Sequence, residues 1–223
     1  LYLGLPEIFE SEGMDRSHMR LPANQNHLLE AVAAVNSKVV VVLSGGSPVE
    51  LPWYDQAAAI VHGYLGGQAG AGAMADILTG KVNPSGKLAE TYPLVYDDTP
   101  NRAYFPGREK TAQYRESIFV GYRYYLTAGK EVRFPFGFGL SYTTFSYSDL
   151  KADRKGVTFT LTNTGKRAGA EVAQLYVSRP GSQLFAPLRE LTGFAKVFRQ
   201  PGARREVTIP LDDKAFRYFN VQT

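Results

Sequence analysis

The chain has 223 residues, 44% hydrophobic and 13% aromatic, enough to bury one large core or two smaller ones. Its 25 Lys and Arg against 21 Asp and Glu leave a net charge of +4, too mild for a dedicated nucleic-acid binder. With no Cys, disulfides, thiol nucleophiles and Cys-ligated metals are excluded, and the 14 Tyr and 13 Phe exclude a solvated coil. His18, His27 and His62 give no pair at metal-ligand spacing, so no metal is expected. The longest apolar runs, Val39 to Leu43 and Ala57 to Val61, are far short of the ~20 residues of a membrane span, so no membrane partner is expected either.

Up to about residue 95, apolar strands alternate with helical patterns. Leu1 to Leu3 reads as the end of a buried strand running into Gly4-Leu5-Pro6. Asn26 to Asn36 sets Leu28, Leu29, Val32 and Val35 at helical spacing, with Asn24 as cap. Val39 to Leu43, bounded by Ser44-Gly45-Gly46, predicts a strand buried on both faces. A short helix over Pro52 to Ala58, a strand over Ile60 to Leu65 and a small-residue helix over Ala71 to Leu78, stopped by Gly80, follow. Leu88 to Tyr92 reads as a further strand. This alternation predicts an open, mostly parallel α/β sheet, an α/β sandwich domain over 1–113.

Tyr114 to Tyr147 is rich in rings, unlike a flexible linker, and residues 114–140 are expected to pack as an aromatic bridge docking two halves. From 141 the period becomes two. Val157 to Thr162 alternates strictly, and Val172 to Val177, Leu191 to Phe198 and Arg205 to Leu211 follow between Pro/Gly turns. This predicts an all-β sandwich of immunoglobulin or fibronectin type III-like kind over 141–223. Charge divides the same way: residues 1–140 hold 12 basic and 14 acidic side chains, net −2, and 141–223 hold 13 and 7, net +6. Neither Leu1 nor Asn220-Val221-Gln222-Thr223, which follows an aromatic stretch resembling a sheet element, reads as a natural stop. Both domains are expected to be truncated at the chain ends, as in a piece of a larger polypeptide.

Ligands of open α/β sheets collect beyond the carboxyl ends of the strands. Three loops qualify: Gly4 to Arg20, Ser44 to Glu50 and Gly66 to Gly72. In the first, Glu7, Glu10, Glu12 and Asp15 crowd beside Arg16 and Arg20. Mutual repulsion and desolvation raise carboxyl pKa values, which keeps a general acid protonated at neutral pH; the same residues also read as a solvated acidic loop with surface ion pairs. Gly70 to Ala75 fits G-x-G-x-x-A, but the expected acidic partner, Glu90, is only approximately placed, and close packing of the helix on the sheet explains the small residues equally. Ser44-Gly45-Gly46-Ser47 reads as a strand-ending turn or an anion nest. Trp53 reads as a core anchor or a sugar-stacking ring, His27 and His62 as packed, hydrogen-bonded residues.

Glu12-Gly13-Met14-Asp15-Arg16 with Leu21-Pro22 and Gln25, Ser47-Pro48-Val49-Glu50, Gly66-Gly67-Gln68, Gly80 to Leu88, Tyr122-Arg123-Tyr124-Tyr125 and Phe134 to Thr143 together resemble glycoside hydrolase family 3. The resemblance is collinear over essentially the whole chain. It implies the C-terminal portion of a retaining, exo-acting β-glucosidase, without the N-terminal barrel that carries the nucleophile Asp and most of the sugar pocket. It further implies that Glu12 is the general acid/base, with Glu10 its nearest rival, and that Asp15 and Arg16 position the loop. Two carboxylates supply the whole chemistry, so no cofactor is expected, and one alone cannot run a double displacement. The implied partners are a β-glucoside or oligosaccharide and the missing barrel; a homo-oligomer is left open, as is β-xylosidase activity. Outside that resemblance, a non-catalytic carbohydrate-binding or scaffold protein and a nucleotide-binding α/β protein resting on Gly70 to Ala75 remain as rival readings. The lack of Cys slightly favours a cytoplasmic setting without demanding it.

Overall fold

The computed structural model of the chain describes residues 1–107, 110–182 and 184–218. Three parallel strands, β1 (Tyr2–Gly4), β2 (Val40–Ser44) and β3 (Ala59–Tyr64), form a sheet in the order β1-β2-β3. Helix α1 (Ala23–Ala33) joins β1 to β2, and α2 (Gly70–Leu78) follows β3. Val41, Val42 and Leu43 are buried in succession, as a β-branched run covered on both faces requires. Leu29 and Val32 of α1 pack on one core with Leu3, Val41 and Trp53, whose Nε1 donates to Asn26 Oδ1 at 2.8 Å. Trp53 is thus a core anchor.

Several local expectations are corrected. Helix α1 enters directly from Pro22 (φ −50), so Asn24 lies inside its first turn and caps nothing. His27 is exposed, and neither ring nitrogen of buried-side His62 finds a hydrogen-bond partner among the described residues. Pro52 to Ala58 yields only a 3-10 turn at Tyr54–Gln56. Leu88 to Tyr92 does not join the parallel sheet: only β4 (Tyr92–Pro93) forms, and Pro93, lacking an N–H, limits the ladder. Among the described residues a Cβ on Gly70 or Gly72 would meet open space, so these two do not set the packing of α2 on the sheet. The close approaches are at Gly66, whose Cβ would lie 2.9 Å from Gly70 Cα, and at Gly63 of β3, whose Cβ would lie 3.3 Å from Met74 Sδ.

The ring-rich segment after residue 113 contains α3 (Tyr122–Thr127) and β5 (Val132–Phe134), which pairs antiparallel with β4. The second domain then runs β6 (Phe145–Asp153), β7 (Gly156–Asn163), β8 (Gly169–Val177), β9 (Glu190–Arg199) and β10 (Arg204–Pro210). Sheet β10-β7-β6 faces sheet β8-β9 across Phe159, Leu161, Val207, Ala173 and Val197. Strand β7 buries Val157, Phe159, Leu161 and Asn163 and half-exposes the residues between, the period-two pattern of a strand with one core face. The aromatic stretch near the end forms a 3-10 turn at Asp213–Phe216 rather than a sheet element, and residues 219–223 lie outside the described residues.

The two halves dock through polar clamps. Lys87 Nζ meets Glu171 at 3.1 Å, both side chains 16% exposed, and Asn83 Nδ2 donates to Ala168 O at 2.9 Å. Glu190 accepts from Arg179 and faces Arg123 of α3, and Leu191 N donates to Tyr122 Oη at 2.7 Å.

Candidate active site

The carboxyl ends of the three parallel strands are Gly4, Ser44 and Tyr64. The chain leaves each of them toward one side, where a cleft of about 860 Å³ opens. Its walls include Glu10, Asp15 and Arg16 from the first loop, Gly46 and Ser47 from the second, and Leu65 after β3. Glu90, Phe105 and Arg123 close it from the later part of the domain. Among the described residues no helix is long and apolar enough to cross a membrane, and no His/Asp/Glu group could hold a metal ion.

The first loop is tied down at several points. Gln25, at the start of α1, accepts Gly4 N–H at 2.8 Å and donates to Gly4 O at 2.9 Å. Glu50 N donates to Met19 O at 2.8 Å, joining the first and second loops by their backbones. Glu10 Oε1 accepts Gly46 N–H at 2.8 Å and Ser47 Oγ at 3.3 Å. Arg16 Nη2 donates to Ser47 Oγ at 3.0 Å and reaches Pro48 O at 3.5 Å. The Ser44 to Ser47 turn therefore ends the strand and also binds an anion, the Glu10 carboxylate.

Glu12 itself is exposed, at the apex of the tied segment beside Gly13 (φ 80). Asp15 is exposed and lines the cleft; Arg16 is half-buried, and no ion pair joins the two among the described residues. The guanidinium turns to Ser47 instead.

The deeper wall holds a titratable group that the sequence pattern did not single out for this role. Glu90 is half-buried, and desolvation, followed by the charge of Glu10, pushes its carboxyl up to about 7. Among the described residues its buried Oε1 has no hydrogen-bond partner, and neither has the buried hydroxyl of Tyr92, a residue only 2% exposed. Burial lowers the pKa of His62, whose ring lies 3.8 Å from that of Tyr64 and 5.8 Å from that of Tyr92. Tyr64 carries a left-handed backbone (φ 51) where β3 turns into the cleft, and its hydroxyl accepts Ala89 N–H at 3.3 Å. A carboxyl inside the apolar Leu88 to Pro93 stretch was the available signal for Glu90.

A loop of carboxyls at the carboxyl end of a parallel sheet, fixed over a cleft, is suited to proton transfer to a bound molecule. The model of the glycosyl hydrolase family 3 C-terminal domain matches residues 1–142. The chain belongs to glycosyl hydrolase family 3. A fibronectin type III-like domain matches residues 171–223 of the same family 3 chain. The thermostable beta-glucosidase B of Acetivibrio thermocellus is 52% identical over all of this chain, and the exo-alpha-(1->6)-L-arabinopyranosidase of Bifidobacterium breve is 46% identical over 99% of it. The chain spans 30% of the length of each. A crystal structure of the Bifidobacterium adolescentis family 3 beta-glucosidase superposes with a TM-score of 0.94 at 47% identity, over 99% of this chain and 34% of that one. The Kluyveromyces marxianus beta-glucosidase in complex with glucose gives a TM-score of 0.91 at 42% identity, over 96% and 26%.

Proposed function

We propose that this chain is the C-terminal part of a retaining, exo-acting β-glucosidase that releases terminal non-reducing β-D-glucosyl residues. Glu12 is its general acid/base. The nucleophile, an Asp, lies on an N-terminal barrel domain outside this chain, and the domains here fall at 1–113, 114–140 and 141–223. What carries the reading is the exposed Glu12 carboxyl, at the apex of a loop fastened to the carboxyl end of the parallel sheet, in a chain of this family. The 52% identity to a beta-glucosidase supports glucose as the sugar.

Retention needs two carboxyls ~5–5.5 Å apart across the anomeric carbon. In the first step the barrel Asp attacks that carbon while Glu12 gives its proton to the departing glycosidic oxygen. In the second, Glu12, now a carboxylate, takes a proton from water as it displaces the Asp. Asp15 and Arg16 act by holding the loop, Arg16 through Ser47 and the Pro48 carbonyl. This chain alone holds one of the two carboxyls and is inactive by itself.

Glu12→Gln in the complete enzyme tests the assignment. Alkyl β-glucosides, which need protonation to leave, lose roughly 100- to 10,000-fold in kcat/KM, while dinitrophenyl β-glucoside loses far less, because its phenolate leaves unaided. Azide, which attacks without base help, restores turnover of the activated substrate. Equal small losses on both substrates reject Glu12. The arabinopyranosidase relative favours a second specificity in one respect, so the panel includes an α-L-arabinopyranoside; faster cleavage of that glycoside than of β-glucosides overturns the choice of sugar.

A further inference from the structure

We propose that Glu10 is a positioning residue for the reaction, closing with Ser47 and Arg16 a charge-assisted ring that fixes the loop carrying Glu12 at the edge of the cleft. The inference rests on the reading of Glu12 given above and adds a requirement to it.

The Ser47 hydroxyl accepts from Arg16 Nη2 at 3.0 Å and donates to Glu10 Oε1 at 3.3 Å, so its single proton is used once and its direction is fixed. Gly46 N–H adds a second donor to the same Glu10 oxygen at 2.8 Å. An anion and a cation thus flank Glu12, two residues before and four after, and both are anchored to one turn at the end of β2. Bonds with one charged partner are the stronger class, and here both ends of the ring carry charge. The turn also leaves little slack: a Cβ built on Gly46 would sit 3.4 Å from Glu10 Oε1 and 3.2 Å from Leu65 Cδ1. Glu12 is exposed and lies outside the cleft wall, so the placement of its carboxyl depends on what holds positions 10 and 16. Proton transfer is sensitive to such placement, because donor and acceptor must approach within hydrogen-bond reach.

Glu10 does not touch the substrate in this account. Its loss therefore acts through Glu12 and shows the Glu12 signature in weaker form. In the complete enzyme, Glu10→Ala lowers kcat/KM for alkyl β-glucosides roughly 10- to 100-fold and leaves dinitrophenyl β-glucoside nearly unaffected. Glu10→Gln keeps an oxygen acceptor for Gly46 N–H and recovers most of the lost alkyl-glucoside activity. Ser47→Ala removes only the shared hydroxyl and produces the same selective loss; it carries the test should Glu10→Ala not fold. Equal losses on both substrates in the variants that fold, or no loss on either, overturn the positioning role. Glu12→Gln in the same series separates the two failures. If it shows the selective loss and the Glu10 and Ser47 variants do not, only the ring is wrong; if it shows none, the ring falls with the Glu12 assignment.

Discussion

Gln25 pairs with both backbone groups of Gly4, taking its N–H at 2.8 Å and giving to its carbonyl at 2.9 Å. One side chain thereby does what a neighbouring strand would do at the last residue of β1, from which the Glu12 loop departs. Gln25→Ala leaves a half-buried donor and acceptor unmet, and the expected cost is about 1–3 kcal/mol. Denaturant unfolding measures it; an unchanged midpoint would show that water replaces the pair without loss.

Glu90 makes stability fall with rising pH. Its carboxyl titrates at about 7 in the folded chain against 4.5 unfolded, so between those values the folded state binds the extra proton. The penalty for ionising it in the cleft wall is absent below pH 4.5 and complete above 7. Glu90→Gln removes the titration. Its thermal midpoint should match the parent below pH 4.5 and exceed it above pH 7, and a difference that does not vary with pH contradicts the assignment.

The Lys87–Glu171 pair joins the α/β domain to β8, with each side chain 16% exposed. Removing one partner strands a charge that is largely desolvated. Lys87→Ala is expected to cost about 3–5 kcal/mol, and Lys87→Met with Glu171→Leu to recover much of it. A double-mutant cycle by thermal unfolding checks this; additive losses would mean that the pair is solvated.

Trp53 is 1% exposed and ties the loop after β2 to α1 through Asn26. Trp53→Ala is expected to destabilise the first domain by about 3–5 kcal/mol. Loss of the Trp fluorescence reporter makes circular dichroism the better probe, and a cost below about 1 kcal/mol would contradict a core role.

The elements legible from sequence were those with one dominant pattern. Val39 to Leu43 could only be a doubly covered strand, and Val157 to Thr162 alternates because one face of β7 lies on the core. Strand β6 was not legible: its register breaks between Ser148 and Lys151, Asp149 is left-handed (φ 56), and most of its side chains are exposed. Leu88 to Tyr92 misled because Pro93 cuts the strand short and its partner, β5, lies some forty residues on. At the site, the first two loops beyond the strand ends are readable from topology and from the crowded carboxyls of residues 7–15, whereas no residue of the third loop, Gly66 to Gly72, lines the cleft, which Leu65 reaches instead. What holds the carboxyls was not readable. The contact of Glu10 with Gly46 spans 36 residues, and the shifted carboxyl of Glu90 arises from burial and from Glu10, neither of which leaves a local pattern.

The most direct test is a crystal structure of the complete enzyme with a bound, non-cleaved β-glucoside analogue. A Glu12 carboxyl oxygen should lie ~2.6–3.2 Å from the glycosidic oxygen, on the leaving-group side of the sugar. The facing carboxylate from the barrel should lie ~5–5.5 Å from the Glu12 carboxyl. A Glu12 side chain directed to bulk water, with another carboxyl in its place, would contradict the account.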